Sequence, residues 1–390
     1  MKKRVGRIKK TAVCMLCAIL LGGCWNSHEL DTLGIVMALG IDKAEGGGAV
    51  RITAQMVKPG EIGAADKNGG GGDAAKAFWN ATDTGDTVFG TIRALTNQSS
   101  RKLFFPHNQV IILGSSLAEE GIRNYIDVFM RDPEARISVF LLISQDTAEG
   151  VLNVDPGLEK VPAQNIVKLI EGQGVATSQV VPSTLREFAV RLMSKTSAPV
   201  VAMIEVFHEG DRETLRISGT AVFKEDRLVG TLDRIEGRGL LWVLDEVKSG
   251  IVEVRDEENA PIALEIVRAS GKVTPELREG RVIMKVEVRE EGSIGEYGGA
   301  RDLTELSVIS DLERKKAEAI RGEIMAAVEK AKDLNADIFG FGDVLYQRYP
   351  KQWKEMEDNW DEIFQEVEVE ITVDAKLRLT GRISNPISPQ

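Results

Sequence analysis

The clearest pattern in the chain is a strict alternation of apolar and polar residues near its C-terminus. From Val367 to Leu379 every second residue is apolar, and the residues between them are charged or threonine. Similar alternation covers Leu215–Phe223 and Val282–Val288. A period of two predicts strands with one buried and one exposed face, which is usual for antiparallel sheets. The sequence therefore predicts an antiparallel sheet in the C-terminal part of the chain.

A long amphipathic helix is predicted between these strands, over Leu303–Leu334. Its apolar residues recur in steps of three to five, which places them on one helix face. They are Leu306, Ile309, Leu312, Ala317, Ile320, Ile324, Val328, Ala331 and Leu334. Such a helix would reach roughly 48 Å and could cross the face of a sheet. A second stripe between Trp353 and Phe364 precedes the terminal strand. We interpret the long stripe as core; the alternative is that its exposed end docks another protein.

The N-terminal half mixes apolar runs typical of strands with amphipathic stretches typical of helices. Strands are predicted at Leu33–Ile41, Ala49–Val57, Val110–Leu113 and Ile137–Ile143. Helices are predicted at Leu117–Met130, Ile166–Glu171 and Pro182–Ser194. Pro182 suits a helix start, because its fixed φ fits the first turn.

These elements predict an α+β, multi-domain protein whose C-terminal antiparallel sheet is packed with helices, including one long helix. Residues 1–23 are predicted to be a signal peptide, and residues 24–198 an N-terminal α/β region with room for two subdomains. Within that region, residues 58–76 are glycine-rich and predict a flexible loop. Residues 199–384 are predicted to form the C-terminal domain, and residues 385–390 a tail.

The first 24 residues predict lipidation. Residues 1–10 carry six basic residues and no acid, and the 11 residues of Thr11–Leu21 carry no charge. This layout is typical of a signal peptide, and the apolar run is too short for a transmembrane helix. Leu21-Gly-Gly-Cys24 resembles a lipobox, with Gly22 departing from its usual Ala or Ser. We therefore expect cleavage after Gly23 and a lipid on Cys24; the alternative is an ordinary secreted protein with an incidental cysteine.

The remaining composition excludes several classes of partner. The three cysteines, Cys14, Cys17 and Cys24, all lie at or before the predicted cut, so no disulfide is expected in the mature domain. Removal of the signal leaves 43 basic and 60 acidic residues, a net charge of −17. This charge argues against nucleic acid, which is bound largely through basic contacts to phosphate. It also argues against adhesion to anionic headgroups through a polybasic face.

No catalytic or metal-binding motif is found. The histidines of the mature chain are His28, His107 and His208, and none has metal-ligand spacing; Arg212 stands where a zinc-protease helix would need a second histidine after His208. Serine-hydrolase elbows, phosphate-binding loops and dinucleotide fingerprints are also lacking. We expect no enzymatic activity, no metal site and no cofactor.

Several segments together resemble the Ger(x)C family of spore germination lipoproteins. They span the mature chain and are, in order, Cys24–Leu30, Arg101–Gly114, Phe129–Arg136, Gly219–Gly230, Glu236–Trp242, Asp337–Asp343, Tyr349–Trp353 and Thr380–Gly381. The resemblance implies separate α/β domains, the last an antiparallel sheet with helices. It also implies a C subunit of a nutrient germinant receptor, lipid-anchored to the bilayer on the outer face of the spore inner membrane. Its partners there would be the integral membrane A and B subunits.

Two further expectations concern how such a subunit would act. An alternative function is an extracytoplasmic solute-binding lipoprotein of a transporter, but the long alternating terminal strand and the 5% aromatic content speak against it. A subunit that acts by association needs an exposed apolar surface. Leu240, Leu241 and Trp242 cluster in a family-like motif and are the candidate partner-binding residues; the alternative is that they are core.

Overall fold

The computed structural model describes residues 32–46, 49–62, 76–299 and 301–379. The predicted signal peptide, Cys24 and the tail at 385–390 lie outside these residues. So do residues 63–75, which make up most of the predicted glycine-rich loop. Within the described part of the chain, no helix is long and apolar enough to cross a membrane.

The described strands form two sheets. They are β1 Leu33–Lys43, β2 Val50–Val57, β3 Phe78–Gly85, β4 Lys102–Phe104, β5 Val110–Gly114, β6 Phe140–Ser144, β7 Val200–Glu209, β8 Arg212–Lys224, β9 Arg227–Leu232, β10 Gly250–Arg255, β11 Pro261–Arg278, β12 Arg281–Tyr297 and β13 Glu368–Leu379.

Helices pack on both sheets. They are α1 Pro59–Ile62, α2 Val88–Leu95, α3 Ser115–Glu120, α4 Arg123–Arg131, α5 Ala148–Asn153, α6 Pro162–Ala176, α7 Leu185–Met193, α8 Arg234–Val243, α9 Leu306–Asp333, α10 Phe341–Arg348, α11 Pro350–Met356 and α12 Trp360–Glu366. Short 3₁₀ turns follow α2 at Thr96–Gln98 and α11 at Glu357–Asn359.

The first sheet is mixed and is covered on both faces. Its order is β3-β2-β1-β5-β6-β7-β8-β9, and β4 pairs with the start of β1. The strands β1, β5, β6 and β7 run parallel, whereas the hairpins at either edge are antiparallel. Separate apolar clusters lie on its two faces, one including α4 and α7 and the other α5 and α6. Burial on both faces explains why β1 is a nearly continuous apolar run.

The second sheet has the order β10-β11-β12-β13 and packs against the long helix α9. This confirms the predicted α+β class and the C-terminal sheet with its long helix. The prediction of a wholly antiparallel sheet is wrong for the last strand, because β13 pairs parallel to β12. The helices α9 to α12 connect the end of β12 to the start of β13. They carry the chain back to the end of the sheet where β12 begins, which a parallel pair of strands requires. Alternation reports which face is buried and carries no information on strand direction.

The change of sheet does not fall at the predicted boundary. β7, β8 and β9 lie C-terminal to residue 199, yet they hydrogen-bond into the first sheet. The second sheet begins only at Gly250. The region predicted as one C-terminal domain therefore contributes a three-stranded edge to the N-terminal sheet. The alternating pattern of β8 predicts a strand with one buried face, but a period of two cannot identify the neighbouring strand.

Two predicted helices have different bounds. The stretch Leu117–Met130 forms two helices, α3 and α4, because Gly121 between them has φ 121°, outside the helical region. The helix predicted to start at Pro182 begins at Leu185. Thr184 is its N-cap, and the Glu187 side chain accepts a hydrogen bond from the Thr184 backbone in a capping box.

The helices α8 and α9 approach closely at Gly239. A Cβ atom at this position would lie 2.0 Å from the carbonyl oxygen of Glu323 in α9. That distance is far below van der Waals contact, so only glycine fits. Gly322, one residue away on α9, faces open space, with no atom within 4 Å of its Cβ position.

We expect Gly239→Ala to destabilise the protein by about 1–3 kcal/mol or more, because the helices must move apart. Gly322→Ala is the matched control and should stabilise by roughly 0.5–1 kcal/mol, since alanine is the better helix former. Chemical denaturation of both variants measures the free energy of unfolding. Equal stability of the two variants would show that α8 and α9 do not touch at Gly239.

Candidate functional site

The helix α8 carries the predicted partner-binding residues. Asp233 caps its N-terminus by accepting from the backbone N–H groups of Ile235 and Glu236, both at 2.8 Å. The Glu236 carboxylate in turn accepts from the Asp233 backbone, which completes a capping box. The local sequence, through this capping box, therefore determines that α8 begins just before the motif Glu236–Trp242.

The structure places Leu240, Leu241 and Trp242 in the core. Their exposed fractions are 0%, 2% and 1%. They belong to one apolar cluster that joins strands of both sheets, including β8 of the first and β12 of the second. The prediction that this segment forms an exposed contact surface is therefore wrong. A helix that is apolar on most of its circumference is buried between layers, and α8 lies between the two sheets.

A buried polar cluster fixes α8 to α9. The Arg238 guanidinium pairs with the Glu323 carboxylate, with Nε 2.9 Å from Oε2. Trp242 Nε1 donates to the same Oε2 at 2.8 Å, and Arg238 donates to the carbonyl of Ile251 at 2.7 Å. Removing one member of such a pair leaves an unpaired buried charge, at a cost of roughly 3–5 kcal/mol.

A large recess opens beside this helix. It has a volume of about 690 Å³ and is bounded by α6, α7 and the segments that follow α6 and α8. Leu241 contributes to its wall, so one of the three predicted residues reaches it from the core side. The rest of the wall is mainly apolar and includes Phe140, Ile170, Val181 and Val200.

Five charged residues line this recess: Glu171, Glu187, Arg191, Glu246 and Lys248. Two of them, Arg191 and Glu246, are opposite in charge and form no ion pair with each other. Arg191 donates to the carbonyls of Ala198 at 3.2 Å and Ile338 at 2.7 Å, and burial lowers the pKa of its guanidinium. Desolvation by neighbouring protein atoms also raises the pKa of Glu246, although this residue keeps an exposed surface. No ion pair joins Arg191 to Glu246 in the described structure.

Within the described ranges, no cluster of three His, Cys, Asp or Glu side chains is arranged to hold a metal ion. The lipid-bearing Cys24 predicted from sequence lies outside the described residues. The chemistry displayed at the recess is that of a binding site, with apolar walls and a few charged groups.

Two family descriptions match the chain almost from end to end. "Spore germination protein N-terminal domain" matches residues 26–206, and "Spore germination B3/ GerAC like, C-terminal" matches residues 218–381. The chain belongs to the Ger(x)C family of spore germination proteins. The first matched range ends within β7 and the second begins within β8, so the boundary between them falls in the β7–β8 hairpin. This boundary precedes the change from the first sheet to the second.

Proteins of Bacillus subtilis (strain 168) show the same likeness over their full length. Spore germination protein KC is 27% identical over 394 residues, which cover 96% of each chain. Spore germination protein A3 is 24% identical, with 96% of this chain and 98% of that protein covered. The crystal structure of the GerBC protein matches with a TM-score of 0.59 at 18% identity, covering 87% of this chain and 96% of that one. The structural likeness shows the fold.

The C-terminal motif of this Ger(x)C protein is organised by a buried carboxylate. Asp337 is 4% exposed and accepts from the backbone of Phe341 at 3.0 Å and of Gly342 at 2.9 Å. The indole of Trp360 donates to it at 3.2 Å. Burial raises the pKa of Asp337 to about 6. The segment Asp337–Asp343 is thus a turn that starts α10 and holds the aromatic stripe of α11 and α12 in the core.

The two N-terminal motifs meet in space. Phe105 of the first motif and Phe129 and Ala135 of the second line one small crevice. Asn108 is buried there, and its side-chain oxygen has no hydrogen-bond partner. Sequence likeness identified both segments, but the 14 residues between them gave no sign that they touch.

Sequence reasoning missed the buried charges of the long helix. Lys316 lies four residues from both Leu312 and Ile320, on the apolar stripe, and is fully buried. It pairs with Glu290 of β12 at 2.6 Å, and burial raises the pKa of Glu290 to about 6. The four-residue spacing from Leu312 to Lys316 to Ile320 is a signal that Lys316 lies on the buried face. The predicted stripe contains the neighbouring apolar residue Ala317 in its place. Leu306, also assigned to it, is exposed.

We predict that Asp337 gives the protein a distinctive pH dependence. Its pKa is raised on folding from 3.8 to about 6, so the folded state keeps a proton that the unfolded state releases. This contribution to stability is full below the unfolded pKa and is lost as pH rises through about 6. The free energy of unfolding of the wild type, relative to Asp337→Asn, should rise by about 1 kcal/mol between pH 7 and pH 5.

Urea denaturation at several pH values measures this difference. Glu355 is exposed on α11, and Glu355→Gln is the matched control; its difference from the wild type should not show that rise. A difference between wild type and Asp337→Asn that stays constant with pH would contradict the assignment of a proton to Asp337.

Proposed function

We propose that this protein is the C subunit of a spore nutrient germinant receptor. The observation that supports this most directly is the end-to-end likeness to proteins named for spore germination, with 96% of both chains covered for protein KC. A likeness of this extent includes both sheets and the order of all motifs. It favours a germination role over a transporter's solute-binding protein.

The subunit is anchored through a lipid on Cys24 to the outer face of the spore inner membrane. The sequence Leu21-Gly-Gly-Cys24 after a short apolar run supports this anchor. A diacylglyceryl group supplies two acyl chains, which is the number that stable anchoring needs. There the protein associates with the integral membrane A and B subunits.

The subunit acts by association and performs no chemistry. Confinement to the membrane raises its effective concentration beside the A and B subunits, so even a weak direct contact suffices. The segment Gly237–Val243 is interior and has no part in that contact. Its role is to pack between the two sheets, which holds the exposed surfaces of the two sheets in a fixed orientation relative to each other.

The test combines lipidation, association and germination in spores. We expect Cys24→Ala to abolish incorporation of a palmitate analogue and to reduce nutrient-triggered germination to the level of a deletion strain. An affinity-tagged wild-type chain should co-purify with two multi-spanning membrane proteins. Cys17→Ala is the matched control, since Cys17 lies within the predicted signal and should leave all three readouts unchanged.

Equal labelling of the wild type and Cys24→Ala would refute the lipid anchor. The receptor role would be refuted if the chain is labelled normally but co-purifies with no multi-spanning protein, and if its deletion leaves nutrient germination intact.

A second activity, binding of a small molecule, has one observation in its favour. The recess of about 690 Å³ lies within the range of small-ligand sites, roughly 300–1,000 Å³. Arg191 and Glu246 face it unpaired, so it suits a zwitterion that presents a carboxylate to one and an ammonium to the other. The receptor role does not depend on this activity.

We expect free amino acids to raise the melting temperature of the purified protein, because a ligand that binds only the folded state stabilises it. Glu246→Gln should abolish the shift without lowering the melting temperature of the unliganded protein. Glu355→Gln, which changes an exposed residue outside the recess lining, should retain the shift. A panel of amino acids that leaves the wild-type melt unchanged would rule out this ligand class.

A further inference from the structure

The chain enters the described structure at one particular end of the first sheet. Leu33 pairs with Lys102, and Gly34 pairs with Leu103. On the other side of β1, the bonded register continues from Val36 to Met56, and from Met56 to Trp79. The start of β1, the end of β2 with α1, the start of β3, and β4 therefore lie side by side. We call residues 33–36, 56–62, 76–79 and 100–104 the anchor end.

The anchor end is basic, although the protein as a whole is strongly acidic. Its exposed basic side chains come from three separate segments and are Lys58, Lys76, Arg101 and Lys102. None of them forms an ion pair with another described residue. The acid in the same ranges is Glu61. This end therefore has a local net charge of +3, in contrast to −17 for the predicted mature chain.

Large apolar side chains are exposed among these basic groups. Ile62 is 41% exposed at the end of α1, and Trp79 is 39% exposed on the edge strand β3. Lys160 donates to the carbonyl of Ile62 at 2.8 Å, which brings a further exposed basic residue to this end. Tryptophan beside lysine and arginine is the combination that proteins place at the interface of a bilayer with water.

The predicted anchor lies close to this end along the chain. Leu33 lies nine positions after Cys24, and a fully extended segment of that length spans at most about 30 Å. A lipid on Cys24 therefore keeps the start of β1 within about 30 Å of the headgroups, so the anchor end is free to reach them. Charges beyond about 10 Å are largely screened at physiological salt, so the local basic groups outweigh the distant acidic faces.

We propose that the anchor end is a membrane-contact surface that rests on anionic lipid headgroups, with Trp79 and Ile62 at the interface. The proposal rests on the lipidation of Cys24 proposed above. A lipid chain and a basic patch are two signals that reinforce each other in membrane binding. Contact at this end fixes the orientation of the subunit: the β1–β2 turn at Glu45 and the β7–β8 turn at Asp211, at the opposite end of the strands, point away from the bilayer.

The test uses single spin labels in the lipidated protein on vesicles. The cysteines of the chain lie at residues 14, 17 and 24, so each introduced cysteine is the sole labelling site of the processed protein. Gly60→Cys and Ser100→Cys place labels at the anchor end without removing a basic residue; the Cβ position of Gly60 has no atom within 4 Å. Glu45→Cys and Asp211→Cys are the matched controls at the opposite end.

On vesicles of phosphatidylcholine and phosphatidylglycerol, we expect the labels at 60 and 100 to be shielded from a water-soluble relaxant. The labels at 45 and 211 should remain fully accessible. Replacing Lys58, Lys76, Arg101 and Lys102 by Gln should abolish the shielding, with about a fivefold loss of preference for anionic vesicles per residue. The control replaces Arg227, Arg321, Lys351 and Lys354 by Gln, which makes the same change in net charge elsewhere and should leave the shielding intact.

The outcomes separate this proposal from the anchor itself. A chain with lipid on Cys24 whose labels at 60 and 100 are as accessible as those at 45 and 211 overturns the membrane-contact surface and leaves the anchor standing. A chain that carries no lipid but binds anionic vesicles with the same two labels shielded supports the surface and refutes the anchor. Equal effects of the two sets of four Gln replacements would also overturn the surface, since only net charge would then matter.

Discussion

The packing of one helix between two sheets is the constraint on which this structure depends. α8 is the element around which the first sheet, the second sheet and the long helix α9 meet. Its glycines allow backbones to approach, and its apolar residues fill the space between the layers. The Arg238–Glu323 pair and the Trp242 indole then fix the angle and register of α8 against α9. Without this helix, neither sheet would have a complete core on the facing side.

The same packing determines where function can reside. Because α8 occupies the interior, its motif cannot contact another protein, and the surfaces left for association belong to the outer layers. The recess lies between α6, α7 and the segment after α8, and Leu241 of α8 forms part of its wall. The anchor end lies on the part of the first sheet formed by β1 to β4. At β8, by contrast, Lys224 donates a hydrogen bond to the carbonyl of Asn335, in the segment between α9 and α10.

Charge illustrates how a global property and a local one can differ. A net charge of −17 for the predicted mature chain argues against a polybasic face, and the basic residues of the anchor end are spread over three separate segments of the sequence. The fold nevertheless gathers Lys58, Lys76 and Arg101 at one end. The antiparallel strand β2 ends beside the start of β1, β3 begins there, and β4 pairs in parallel with the start of β1. Screening over about 10 Å makes this local arrangement the one that a membrane surface would detect.

The sequence by itself determined the secondary structure that depends on local patterning. Alternation located β8, β12 and β13, the 3.6-residue period located α9, and both reflect burial on one side of an element, which is written into every few residues. Likeness of ordered motifs determined the family. Strand direction, the membership of β7 to β9 in the first sheet, and the interior position of Trp242 were decided only by the tertiary structure. These features depend on contacts between residues far apart in sequence, such as Arg238 with Glu323 or Lys316 with Glu290. A charged residue can be recognised as buried only when the tertiary structure shows the partner that compensates its charge.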